Sequence, residues 1–170
     1  MTRAQLEHII RAAGAIADVG RLVIIGSQAI LGSNPDSPPE LLVSMEADVY
    51  PPDDTDLADL IDGSIGEDSF FHETFGYYAH GVGPETAVLP KNWESRLISI
   101  RNQNTKNFEG LCLSPMDLAV SKLLAGREKD CTFVKNMIRL KMVTLESLEA
   151  VSGELDGDLR SRLLSSLKDL

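Results

Sequence analysis

The sequence predicts an α/β (α+β) domain followed by a helical C-terminal segment, and three observations carry that prediction. Residues 22–25, Leu-Val-Ile-Ile, form a short apolar run closed by Gly26, the pattern of a buried strand. Residues 2–18 place Leu6, Ile9, Ile10, Ala13 and Ile16 at the period of an amphipathic helix. From Ser114 onward the pattern is helical nearly to the end of the chain. The expected division is an α/β core over residues 1–113 and a helical segment over 114–170 packed on it, a single domain overall.

Taken in order, Thr2 is a suitable cap for the first helix and Gly20 a suitable stop. The strand at 22–26 leads into a short helix at 27–31, a loop at 32–39, and a second strand over 41–50 closed by Pro51-Pro52. Asp53-Asp54-Thr55-Asp56 suits a helix N-terminus, because acids there complement the helix dipole. Residues 63–69 read as a loop. A third strand is expected over 74–80, inside an aromatic stretch that also holds His72 and His80. Each histidine is a candidate acid–base group, although a histidine in such a stretch more often packs. Short strands are expected at 86–89, 97–101 and 111–113. Ser114-Pro115 then supplies a cap followed by proline at the first helical position.

Of 170 residues, 26 are acidic and 16 are Lys or Arg, a net charge of −10 that argues against bulk attraction to DNA or RNA. The charge is uneven: residues 1–100 carry 16 acids against 5 Lys and Arg, and residues 101–170 carry 10 against 11. The local basic stretch is 122–141, with six Lys and Arg against Glu128 and Asp130. No signal peptide and no membrane-length apolar run is visible, and Cys112 and Cys131 lack metal-like spacing. The expectation is a cytoplasmic protein with reduced thiols and no membrane contact.

Two stretches carry chemistry. In the first, Gly26-Ser27 opens a helix whose free backbone N–H groups favour anions, and Glu46 and Asp48 follow on the next strand. Two apart on a strand, these carboxylates share a face, where water, a cation or a divalent metal relieves their repulsion. In the second, Lys122 and Asp130 lie eight apart, within about 80° of each other on one continuous helix. A lysine so placed suits a triphosphate, and the aspartate suits a nearby proton.

Gly26-Ser27 with Ser44-Met45-Glu46-Ala47-Asp48 resembles the signature of the nucleotidyltransferase superfamily, Glu46 taking the first acidic place. The stretch from Asp117 to Asp130, with Lys122, Ala125, Arg127 and Lys129-Asp130, is similar to a motif of AbiEii-type nucleotidyltransferases, the toxins of certain abortive-infection toxin–antitoxin systems. The resemblance implies a small mixed, twisted sheet flanked by helices. It also implies transfer of a nucleotidyl group from a nucleoside triphosphate to a hydroxyl on RNA, protein or a small molecule. Gly26, Ser27 and Lys122 would bind the nucleotide, Glu46 and Asp48 would hold Mg²⁺, and Asp130 with Lys122 would be catalytic, Asp130 as base or orienting acid. An antitoxin would be the partner. Active members commonly add a third metal-binding aspartate from a later strand, and residues 74–80 offer none. That points to a single ion, or to a module that binds a nucleotide or partner protein without catalysis.

Overall fold

Thr2 starts the first element by a reciprocal cap: its hydroxyl accepts from the Gln5 backbone N–H, and the Gln5 side chain accepts from the Thr2 N–H. In the computed structural model, which describes residues 1–170, helix α1 spans Arg3–Ala17. It ends at Asp18 in the left-handed conformation (φ 52°), two residues before Gly20. Leu6, Ile9, Ile10 and Ala13 are fully buried, as the apolar period requires.

Strand β1 (Arg21–Ile25) runs into a 3₁₀ turn at Ser27–Ala29 and a one-turn helix α2 (Ile30–Ser33). Strand β2 is Glu46–Tyr50, half the span expected. Residues 41–45 cannot continue it, because Pro38-Pro39 starts a 3₁₀ turn that buries Leu41, and the β1 ladder ends at the pair Ile25–Asp48. Val43 and Met45 are left exposed. Helix α3 (Ala58–Ile65) passes through Gly63, so the expected loop begins later.

The aromatic stretch forms a helix before it forms a strand. Ser69 accepts from the His72 N–H to start α4 (Phe70–Phe75), and Gly76 (φ 75°) ends it. Phe71 and Phe75, four apart, meet each other at 4.8 Å and both contact His8 of α1. Strand β3 therefore begins only at Tyr78, over Tyr78–Gly81. No strand forms at 86–89, where Pro84–Thr86 is a 3₁₀ turn. Strands β4 (Ile98–Ile100) and β5 (Glu109–Cys112) complete the sheet.

The sheet order is β3-β2-β1-β5-β4. Strands β1–β2 and β4–β5 pair antiparallel, β1–β5 and β2–β3 parallel. This is the mixed sheet flanked by helices that the resemblance implies. One core of 39 buried apolar residues runs from α1 through the sheet into the helices beyond it; each large aliphatic in it contributes about 1.5–3 kcal/mol.

Those helices are α5 (Pro115–Ala125), α6 (Glu128–Arg139), α7 (Leu145–Val151) and α8 (Gly157–Lys168). Asp117 fastens them to the sheet layer. Its carboxylate is fully buried, accepts from Ser114 Oγ at 2.5 Å and receives Arg96 through Nε and Nη2 at 3.0 and 2.7 Å. Arg96 also reaches Glu154 at 3.0 Å, so one guanidinium joins three parts of the chain. Removing one partner of a buried ion pair leaves the other uncompensated. Asp117→Ala should therefore cost about 3 kcal/mol, seen as a lower urea midpoint at unchanged slope. A change under about 0.5 kcal/mol, the range of ordinary surface substitutions, would mean that the network does not hold the layers together.

Candidate functional site

Three neighbouring strands build one wall of a cleft. Glu46 and Asp48 project to the same face, while Ala47 and Val49 alternate into the core. At the end of β1, Gly26 adopts φ 67° and ψ −170°, backbone that only glycine holds without strain. A Cβ there would also collide with the Asp48 carboxylate. The glycine is thus what lets the turn and the acid share one corner, with Ser27 partly exposed beside them.

The parallel pairing of β2 with β3 sets Asp48 opposite His80 and Glu46 opposite Tyr78. His80 Nδ1 lies 3.0 Å from Asp48 Oδ1, and the Tyr78 hydroxyl donates to Glu46 Oε2 at 3.1 Å. One ligand atom each from Glu46, Asp48 and His80 falls within a mutual 4.8 Å, so the three form a candidate metal-binding triad. Burial raises the pKa of Asp48; the hydrogen bond from His80 opposes this and the charge of Glu46 adds to it. Burial, then the neighbouring Glu46 charge, pushes the Tyr78 phenol up to about 12, so it remains a donor.

The facing wall comes from the junction of α5 and α6. Gly126, left-handed at φ 70°, ends α5, and the chain turns at Arg127 before α6 begins. Lys122 and Asp130 therefore meet across a turn rather than along one continuous helix. Lys122 Nζ lies 3.1 Å from Asp130 Oδ1 and Arg127 Nε lies 2.6 Å from Oδ2, so both carboxylate oxygens are engaged. The Asp130 side chain is 0% exposed and that of Lys122 10%, whereas Arg127 is 62% exposed and looks into the cleft. Lys122 also sits 4.5 Å from the centre of the Phe133 ring.

Burial lowers the pKa of Lys122, against the pull of Asp130. Burial works against ionised Asp130 too, but Arg127 and then Lys122 outweigh it and hold the carboxyl below its ordinary range. The two walls sense each other: the charge of Lys122 favours ionised Asp48, and Arg127 is raised first by Asp130 and in smaller part by Asp48 and Glu46.

Between the walls lies a cleft of about 720 Å³ that takes in Gly26, Ser27, Glu46, Asp48, Lys122 and Asp130 together. The six residues that the two stretches offer for chemistry thus reach one place, whereas His72 lies outside it. His80 and Arg127 join them in roles that sequence reasoning did not assign. The sequence offers His80 as an acid–base or packing residue and Arg127 only as part of the stretch from Asp117 to Asp130. The available signal was the alternation Tyr78-Ala79-His80, which parallels Glu46-Ala47-Asp48 once the two strands are set in register.

Residues 4–161 match the model of a family described as nucleotidyltransferase of unknown function (DUF6036), and the chain belongs to that family. The match does not single out the AbiEii type. No curated protein and no solved structure is detectably similar. No helix is long and apolar enough to cross a membrane.

The ion-pair cluster yields a prediction with a definite sign. Asp130 has a lowered pKa in the folded chain, so its contribution to stability is complete above the ordinary carboxylate value of about 4 and is lost as pH falls through the lowered value. Asp130→Asn should destabilise by about 3 kcal/mol near neutrality, and the gap to the parent should shrink below about pH 4. Urea midpoints measured against pH test this. A constant gap from neutral to acid pH would show that the charge on Asp130 is not what matters.

Proposed function

We propose that this nucleotidyltransferase-family protein binds a nucleoside triphosphate in the cleft, together with a divalent cation, and moves the nucleotidyl group to a hydroxyl. The observation that carries the reading is the convergence of the Gly26-Ser27 turn, the Glu46–Asp48–His80 triad and the Lys122–Arg127 cations on one polar cleft. The donor set fits a divalent ion: two carboxylates supply charge, and one imidazole supplies a neutral nitrogen. Such an ion, with Mg²⁺ the form in which triphosphates ordinarily arrive, supplies Lewis-acid polarisation of a phosphoryl oxygen.

Gly26 and Ser27 seat the phosphates by close backbone approach. Arg127, exposed to the cleft, and Lys122 behind it neutralise them. Asp130 is assigned as a positioning residue rather than a base, because both its oxygens already receive cations and its side chain is buried. In the reaction the acceptor hydroxyl releases its proton to solvent, its oxygen bonds to the α-phosphorus and the α–β anhydride breaks, releasing pyrophosphate. RNA, a protein or a small molecule is the proposed acceptor, and an antitoxin the proposed partner. Both of these rest on the AbiEii resemblance alone.

A second reading, a nucleotide-binding or partner-binding module without catalysis, is favoured by one observation: the third corner of the triad is the imidazole of His80, where the superfamily resemblance implies a third carboxylate in active members. One experiment separates the two. Calorimetry with each nucleoside triphosphate, with and without divalent ion, should show binding that needs the ion. Asp48→Ala should abolish it. Arg127→Gln, an exposed change, should weaken it roughly tenfold or more, the scale of a lost charge-assisted hydrogen bond. Ion-dependent transfer of labelled nucleotide to total RNA or protein, lost in Asp48→Ala, establishes the enzyme. Binding without transfer establishes the module, and absence of both overturns the nucleotide reading.

A further inference from the structure

We infer that the Glu46–Asp48–His80 triad selects a first-row transition-metal dication over Mg²⁺, with Mn²⁺ as its working ion and His80 as the ligand that sets the preference. The purpose of the ion rests on the nucleotidyltransferase reading; the preference itself rests on the donor set.

His80 has little else to do. His8 bonds the Tyr77 hydroxyl at 2.7 Å and packs against Phe71 and Phe75. His72 accepts from the Asp68 N–H and stacks on Tyr78. His80 is half exposed, makes no aromatic contact, and has Asp48 as its one polar partner. Its place is set by backbone pairing rather than by a loop, since Asp48 and His80 are directly opposed in a parallel ladder. The 3.0 Å between His80 Nδ1 and Asp48 Oδ1 is a hydrogen bond when Nδ1 carries the proton; it also equals the spacing of two adjacent ligands on one ion, since bonds of roughly 2.1 Å at a right angle put their ends about 3.0 Å apart, so an ion replaces the proton with neither residue displaced. The Tyr78 hydroxyl donates to Glu46 Oε2 and so turns that carboxylate to offer its other oxygen.

Mg²⁺ demands oxygen and parts with water reluctantly, so an imidazole corner counts against it. From Mn²⁺ upward the row accepts nitrogen with rising affinity, and Mn²⁺ is the member closest to Mg²⁺ in its taste for carboxylate. No cysteine lines the cleft to favour a softer ion.

The test uses the full chain, freed of metal, without nucleotide, at about pH 8, where protons compete least with metal for its ligands. Mn²⁺ binding is followed by loss of the free-ion paramagnetic resonance signal and by calorimetry, and Mg²⁺ by competition. Co²⁺ absorption reports directly on nitrogen ligation. Mn²⁺ should bind more tightly than Mg²⁺, by about tenfold or more, the step that one favourable nitrogen ligand supplies. His80→Asp, which restores a third carboxylate on an exposed strand position, should collapse that ratio toward one and change the Co²⁺ spectrum. His72→Ala should do neither. Equal affinity for the two ions, no ion binding at all, or a ratio unmoved in His80→Asp overturns the inference. The two failures are distinguishable. Ion preference without nucleotide binding removes only the nucleotidyl reading, whereas nucleotide binding served equally by Mg²⁺ and Mn²⁺ keeps that reading and removes this one.

Discussion

The cleft depends on the position of Asp48 in the ladder. It is the first residue of β2 to pair with β1, opposite Ile25, and on its other side it faces His80. Gly26 is the residue whose missing side chain makes room for its carboxylate. A one-residue slip of β2 would turn both acids into the core and Ala47 toward solvent, exchanging a polar face for an apolar one. The buried Ala47 and Val49 hold the register against that slip. The packing of one face of a five-residue strand therefore fixes the chemistry on the other.

The facing wall follows a different logic. Its cations are not left to repel one another across a turn; Asp130, fully buried, takes one on each oxygen. A buried carboxylate holding two cations is costly to desolvate and is weak evidence for stability. Its value is in placement: Arg127 is tied at one end and free at the other, close to where negative charge would sit. The acidic N-terminal part of the chain and the balanced C-terminal part thus meet across the cleft, which neither charge total alone could indicate.

Much of this was legible from local pattern. The Thr2 and Ser114 caps, the apolar period of α1, the run that became β1 and the link from Gly26 to Asp48 are short-range features, and short-range physics decides them. The third strand was not legible in the same way. Phe70 to Phe75 alternate poorly and contain aromatic residues four apart; capped by Ser69 and ended at Gly76, they form a helix whose Phe71 and Phe75 pack on His8 of α1. Leu41 and Val43 looked like strand residues; without a neighbour to pair with, they became a turn and an exposed rim. His80 illustrates the general limit. Its meaning lies in which residue stands beside it, and strand register is a property of the whole sheet. Lys122 and Asp130 came together as expected, but through a break at Gly126 that adds Arg127 to the pair.

The sheet order has one further consequence. Strand β3 is terminal in the sheet, with β2 on one side and no strand on the other. The two carboxylates sit on an interior strand, whereas the imidazole sits on one that can fray. Local openings begin at such edges, well below the free energy of global unfolding. The third corner of the site therefore rests on a single ladder, whereas the other two rest on a strand paired along both edges, and anything held by all three ties the edge of the sheet to its interior.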